Sequence, residues 1–262
     1  MNSVFVKRSQ ARAYLQGYWK VAVFAETVCI GAEILLIIAE WVCFYRSNGI
    51  PFYPLALLVD LLLISPLKAG RALFYKTLVT NEEPAKPKLI FRYFYNGYTR
   101  SVAWRLALWL RRLGLLLLLS IPSAVFLYIS GIAGGEQSQT VAMIAFAFSL
   151  VFLVFALIGT EILLFRYIPA VYLLSQVTTA KHALRVSKRI SKGNAGNWAV
   201  LYLDYAGCCF LLLFLFPVLY VLPTFHTARA ATANQLFLQI SPLIQEQHLQ
   251  RGKNHGRIRV EF

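Results

Sequence analysis

Five apolar stretches dominate the chain, over residues 21–45, 52–67, 113–133, 141–165 and 198–222. A helix rises 1.5 Å per residue, so about twenty apolar residues cross the roughly 30 Å of hydrocarbon in a bilayer, and a helix satisfies its own backbone polar groups there. The expected fold is therefore all-α: a polytopic membrane protein of about five transmembrane helices, with amphipathic interfacial helices on the cytosolic side. Composition agrees. The 262 residues are 58% hydrophobic and only 14% charged, where soluble proteins approach about a quarter charged. Residues 1–240 read as a single integral-membrane domain and 241–262 as a polar, basic C-terminal tail, which leaves no stretch for a separate aqueous catalytic domain.

Twenty-six Lys and Arg stand against eleven Asp and Glu, a net charge of +15. The basic residues flank the apolar runs, as topology determinants do. Lys7, Arg8, Arg12 and Lys20 precede the first run and place the N-terminus in the cytosol of a multi-pass protein of the cell membrane. Arg46 to Pro51 is a turn that would make a hairpin of the first two helices. From Lys68 to Arg112 the chain is strongly basic and reads as the main cytosolic loop, its second half, Phe91 to Trp109, mixing Arg with Phe, Tyr and Trp as an interfacial helix would. Such a mixture also stacks on single-stranded nucleic acid, but this one runs straight into a membrane span, and no nucleic-acid partner is expected. The connection Gly134 to Gln139 has no basic residue and belongs outside. The segment 176–192 is basic and amphipathic until Gly193 and Asn194 stop it. Anionic membrane lipid is the expected partner of Arg111, Arg112, Lys181, Arg185, Lys188 and Arg189, together with a second membrane protein not identified by the sequence. Pro217 and Pro223 break and close the fifth span. The odd span count puts the basic tail outside unless the fifth segment is re-entrant.

Carboxylates inside apolar runs are costly and are retained for a reason. Glu26, Glu33 and Glu40 are spaced by seven and share one face of the first helix. Counted from the turn, Glu33 and Asp60 differ in depth by about 4.5 Å at 1.5 Å per residue, so they could meet and share a proton or hold a cation. Glu26, Glu161 and Asp204 form a second layer nearer the cytosolic ends, where pairing with Arg111, Arg112 or Arg166 is the plain packing alternative.

Enzymatic chemistry finds no residues to carry it. The histidines, His182, His226, His248 and His255, lie outside the apolar runs, and HExxH, GxSxG and GxxxxGK[ST] are missing. The cysteines, Cys29, Cys43, Cys208 and Cys209, have no CxxC spacing and read as small apolar residues. No enzyme activity, cofactor or metal is expected.

Four motifs stand out: RSQARAYLQGYW with Arg12, Ala13, Leu15, Gly17 and Trp19; PLKAGRALFY with Pro66 and Gly70; HALRVSKRISKGN with Ala183, Ser187, Gly193 and Asn194; and LDYAG, PVLYVLP and ARAA near the end. Together, from about Lys7 to Phe237, they resemble the bacterial integral-membrane family called domain of unknown function 975. The resemblance implies a polytopic bacterial membrane protein and brings no catalytic residues. The expected work is structural or accessory, organising a partner or anionic lipid at the cytosolic face. The alternative is a proton- or cation-coupled carrier or channel built on Glu33 and Asp60, with Glu161 and Asp204 as further ion candidates.

Overall fold

The computed structural model describes residues 8–46, 53–81, 84–135, 139–176, 179–206 and 215–257, and every regular element among them is helical. In chain order these are α1 (Arg8–Leu15), α2 (Trp19–Arg46), α3 (Tyr53–Val59), a π-helical turn (Asp60–Ile64), α4 (Ser65–Thr80), a 3₁₀ turn (Pro87–Phe91), α5 (Arg92–Tyr95), α6 (Tyr98–Leu119), α7 (Ile121–Gly135), α8 (Gln139–Leu164), a second 3₁₀ turn (Phe165–Tyr167), α9 (Ala170–Leu173), α10 (Ala180–Ile190), α11 (Ala195–Ala206) and α12 (Leu215–Arg257).

Two helical stretches, Trp19–Tyr45 and Gln139–Leu173, are long and apolar enough to cross a membrane, and α6 with α7, bent by 47° at their junction, makes a third if the pair is one span. Only 22% and 17% of the first two windows are buried within the protein, so many of their large apolar side chains stay on its surface. Ile37, Trp41, Phe146 and Phe155 are examples. Small polar residues close the α7–α8 hairpin, as they do between helices in hydrocarbon: Ser123 Oγ donates to the Ser149 carbonyl at 2.9 Å and Ser130 Oγ to that of Ala142 at 2.8 Å.

The protein is thus all-α with two or three helices long and apolar enough to cross a membrane among the described residues, and the expected five are not all seen. Residues 53–67 are helical throughout but not regularly so, because a π-helical turn lies between α3 and the start of α4. The stretch 198–222 comprises most of α11, residues 207–214 outside the described set, and the start of α12. The hairpin turn at 47–51 and residues 136–138 of the expected outer connection also lie outside it. The expected cytosolic loop is different in kind. Its first part is α4, a core helix with Phe74, Tyr75 and Leu78 almost fully buried, and its second part is α6, which runs without a break into the third apolar stretch.

α4 starts where Pro66 occupies the first turn, a position at which proline costs the helix no hydrogen bond. Its apolar residues point in every direction because α2, α6, α9 and α12 all pack on it. At Gly70 a Cβ would overlap the carbonyl of Ile90, so glycine is what lets the 3₁₀ turn lie against the helix. α10 is strongly amphipathic: Ala183, Leu184, Ser187 and Ile190 are buried, while Lys181, His182, Arg185, Lys188 and Arg189 are exposed. Thr179 caps it, its Oγ1 accepting from the His182 amide at 3.3 Å, and Gly193 turns the chain with φ +83°. Its apolar face rests on protein, and Ser187 Oγ pins it to the Arg166 carbonyl at 2.8 Å. α12 continues past Pro223, the expected end of the fifth span, to Arg257. Ala228, Ala230, Ala231 and Leu236 are buried along it.

Candidate anion-binding site

Two of the three glutamates that share one face of α2, Glu26 and Glu33, meet α4. Glu26, with no exposed surface, accepts from Arg71 Nη1 at 2.9 Å and from the Tyr75 hydroxyl at 2.8 Å. One turn of α4 away, Lys68 Nζ lies 2.9 Å from Glu33 Oε1. Positions seven apart on one helix therefore face positions three apart on the other, and the long basic side chains take up the difference in rise.

Lys68 Nζ is also 4.0 Å from Asp60 Oδ1, and Arg105 on α6 places Nη2 3.2 Å from Asp60 Oδ2. Glu33 and Asp60 do come together, but through a shared cation. The π turn that carries Asp60 adds a residue to one helical turn, a distortion common at functional sites. Tyr98 OH donates to the Leu62 carbonyl within it at 3.0 Å. Of the cations expected to neutralise the second layer, Arg112 pairs with Glu161, both half in solvent. Arg111 instead lies 4.6 Å over the Tyr167 ring, and Asp204 pairs with Arg8 at 3.1 Å. Among the described residues no cluster of His, Cys, Asp and Glu could hold a metal.

These pairs surround a cavity of about 480 Å³ between α2, α4, α6, α8, α9 and α12. Its wall contains the cations Lys68, Arg71, Arg105, Arg112 and Arg229, the carboxylates Glu33 and Glu161, and His226, with Trp104, Trp109 and Tyr172 between them. His226 stacks on Tyr75 and lies 3.9 Å from Glu26. Burial holds its pKa well below the usual range, helped by Arg71, Arg229 and Lys68. A wall of this kind favours an anion. Residues from Lys68 to Arg112 announce themselves in the sequence as a basic segment, whereas His226 and Arg229 carry no such signal, because they follow a proline expected to end the last span.

The basic residues of α10 are not part of this wall. They form a separate exposed face. No family model, no curated protein and no solved structure matches this chain.

Proposed function

We propose that the chain is a non-enzymatic integral protein of the bacterial cytoplasmic membrane that holds anionic lipid at its cytosolic face. The observation that carries this reading is the outward basic face of α10. Lys181, Arg185, Lys188 and Arg189 are all exposed while the opposite face of the same helix is fixed to the protein. A rigidly presented row of cations beside membrane-crossing helices attracts anionic headgroups by on the order of 1 kcal/mol per residue. A carrier built on Glu33 and Asp60 draws less support, since Lys68 and Arg105 already neutralise both carboxylates and an incoming cation would have to displace them.

The test is charge reversal of the α10 face. With Arg185→Glu, Lys188→Glu and Arg189→Glu combined, the protein purified in mild detergent retains several-fold less anionic lipid than the wild type at equal yield. Unchanged lipid content would contradict the reading and leave these residues to topology or to a protein partner.

A further inference from the structure

Four residues at the deep end of the cavity have polar atoms to spare. Arg71 on α4 gives only Nη1 to Glu26, and Arg229 on α12 has no carboxylate within ion-pair distance among the described residues. The side chains of Tyr172 on α9 and His226 on α12 make no hydrogen bond among those residues. Arg229 Nε is sealed off, but its Nη1 and Nη2, Nε and Nη2 of Arg71, the imidazole nitrogens of His226 and the Tyr172 hydroxyl are not. All four residues lie deep in the protein and line the cavity, so the surface these atoms keep faces it.

The four groups also converge. Arg71 Nη1 and His226 Nε2 lie 2.9 and 3.9 Å from the two oxygens of the Glu26 carboxylate. Arg229 follows His226 by one turn on the same side of α12, and Tyr172 lies in the field of both arginines. Arg71 and Arg229 are near enough to repel each other, and Glu26 supplies one charge against their two. Elsewhere in the wall the charges balance, Lys68 and Arg105 against Glu33 and Asp60, and Arg112 against Glu161. One positive charge is left over at the deep end.

We propose that this end of the cavity binds the carboxylate of an organic monoanion with an apolar body, of the fatty-acid class, with Arg71 and Arg229 as its cations and Tyr172 as a further donor. One negative charge cancels the one left over, and the planar guanidinium fork matches a carboxylate in geometry. Side-chain exposure falls from 60% at Arg112 and 51% at Glu161 to 11% at His226. Such a closed end suits a terminal charged group, whereas a phosphodiester carries a substituent on each side of its charge. Leu108, Trp109, Leu164, Ile168 and Leu222 make up much of the remaining wall and suit an alkyl chain. The volume of about 480 Å³ lies in the range of ligand pockets. This site is separate from the α10 face and goes beyond the lipid reading above.

The thermal midpoint of the detergent-solubilised full chain is measured near neutral pH with sodium octanoate, octanol or sodium acetate at equal concentration. Octanoate raises the midpoint, whereas octanol, which lacks the charge, and acetate, which lacks the chain, do not. Arg229→Gln abolishes the shift. Tyr172→Phe removes a hydroxyl that bonds to no described residue, so the protein folds as before and its apparent affinity for octanoate falls about tenfold. That variant keeps the test decisive if Arg229→Gln fails to fold. The α10 charge reversal leaves the octanoate shift intact. A shift with octanol or acetate as large as that with octanoate, no shift at all, or a full shift in either cavity variant would overturn the proposal. So would a shift lost with the α10 reversal. None of these results touches the lipid retention by which the α10 face is tested.

Discussion

Arg71 on α4 donates to Glu26 on α2 at 2.9 Å, and Glu26 has no surface in contact with solvent. The charge is not isolated there, because the Tyr75 hydroxyl donates to its other oxygen at 2.8 Å. Arg71 also forms part of the cavity wall, so one ion pair fixes the α2–α4 contact and orients a cation toward the candidate site. Removing one partner leaves a buried charge uncompensated, which costs far more than removing both.

Glu26→Gln should therefore destabilise the protein by about 3 kcal/mol or more, and the double variant with Arg71→Gln by less than the two single changes added together. Thermal unfolding in detergent measures both. Glu161→Gln, whose partner Arg112 is half in solvent, should change stability by no more than about 1 kcal/mol. Similar losses at the two sites would contradict the buried-pair account.

At Gly70 the structure leaves no room for a methyl group against the Ile90 carbonyl. Gly70→Ala would gain up to about 1 kcal/mol of helix propensity, yet it forces the 3₁₀ turn away from α4, and overpacking of this kind costs about 1–3 kcal/mol. A net loss of stability is expected. A variant at least as stable as the wild type would mean that this contact is looser than described.

His226 links stability to pH. Burial and the nearby Arg71, Arg229 and Lys68 keep its folded pKa below the unfolded value, with Glu26 as its acidic neighbour and Tyr75 stacked on its ring. The unfolded chain then takes up a proton that the folded chain refuses. This contribution is complete above about pH 6.5 and is lost as the pH falls below it. The wild type should lose more stability between pH 7 and pH 5 than His226→Gln does. Parallel curves for the two proteins would sink the assignment of a buried neutral imidazole.

Much of the helical plan is legible in the sequence, because a hydrophobic run and its flanking charges are local signals. The apolar stretches 21–45 and 141–165 match α2 and α8 to within two residues at each end. The basic segment ending at Gly193 matches α10 with its stop. What escaped is set by neighbours far along the chain. The seven-residue spacing marks the face of Glu26 and Glu33, but nothing local says that Arg71 and Lys68 face it. The run of Phe91 to Trp109 straight into an apolar span is legible, and α6 is continuous across that boundary. Pro223 argues locally for a helix end, and burial of Ala228, Ala230 and Ala231 overrides it. That override carries His226 and Arg229 into the cavity wall.

Orientation can be read by labelling. In a background lacking the native cysteines, Ser138→Cys should react with an impermeant thiol reagent in intact cells and Lys188→Cys should not. Residue 138 is outside the described set and is chosen for the lack of basic residues around it. Lys188 is chosen because its side chain is exposed, whereas Ser191 nearby is only 3% exposed. The reverse pattern would invert the topology and put the α10 face outside.

The most direct measurement is the lipid that accompanies the wild-type protein. Mass spectrometry of the detergent-purified chain, compared with the bulk membrane it came from, should find anionic phospholipid enriched several-fold at low salt. The enrichment should fall as ionic strength rises and the surface charges are screened. A bound-lipid composition equal to that of the bulk membrane at every salt concentration would contradict the account.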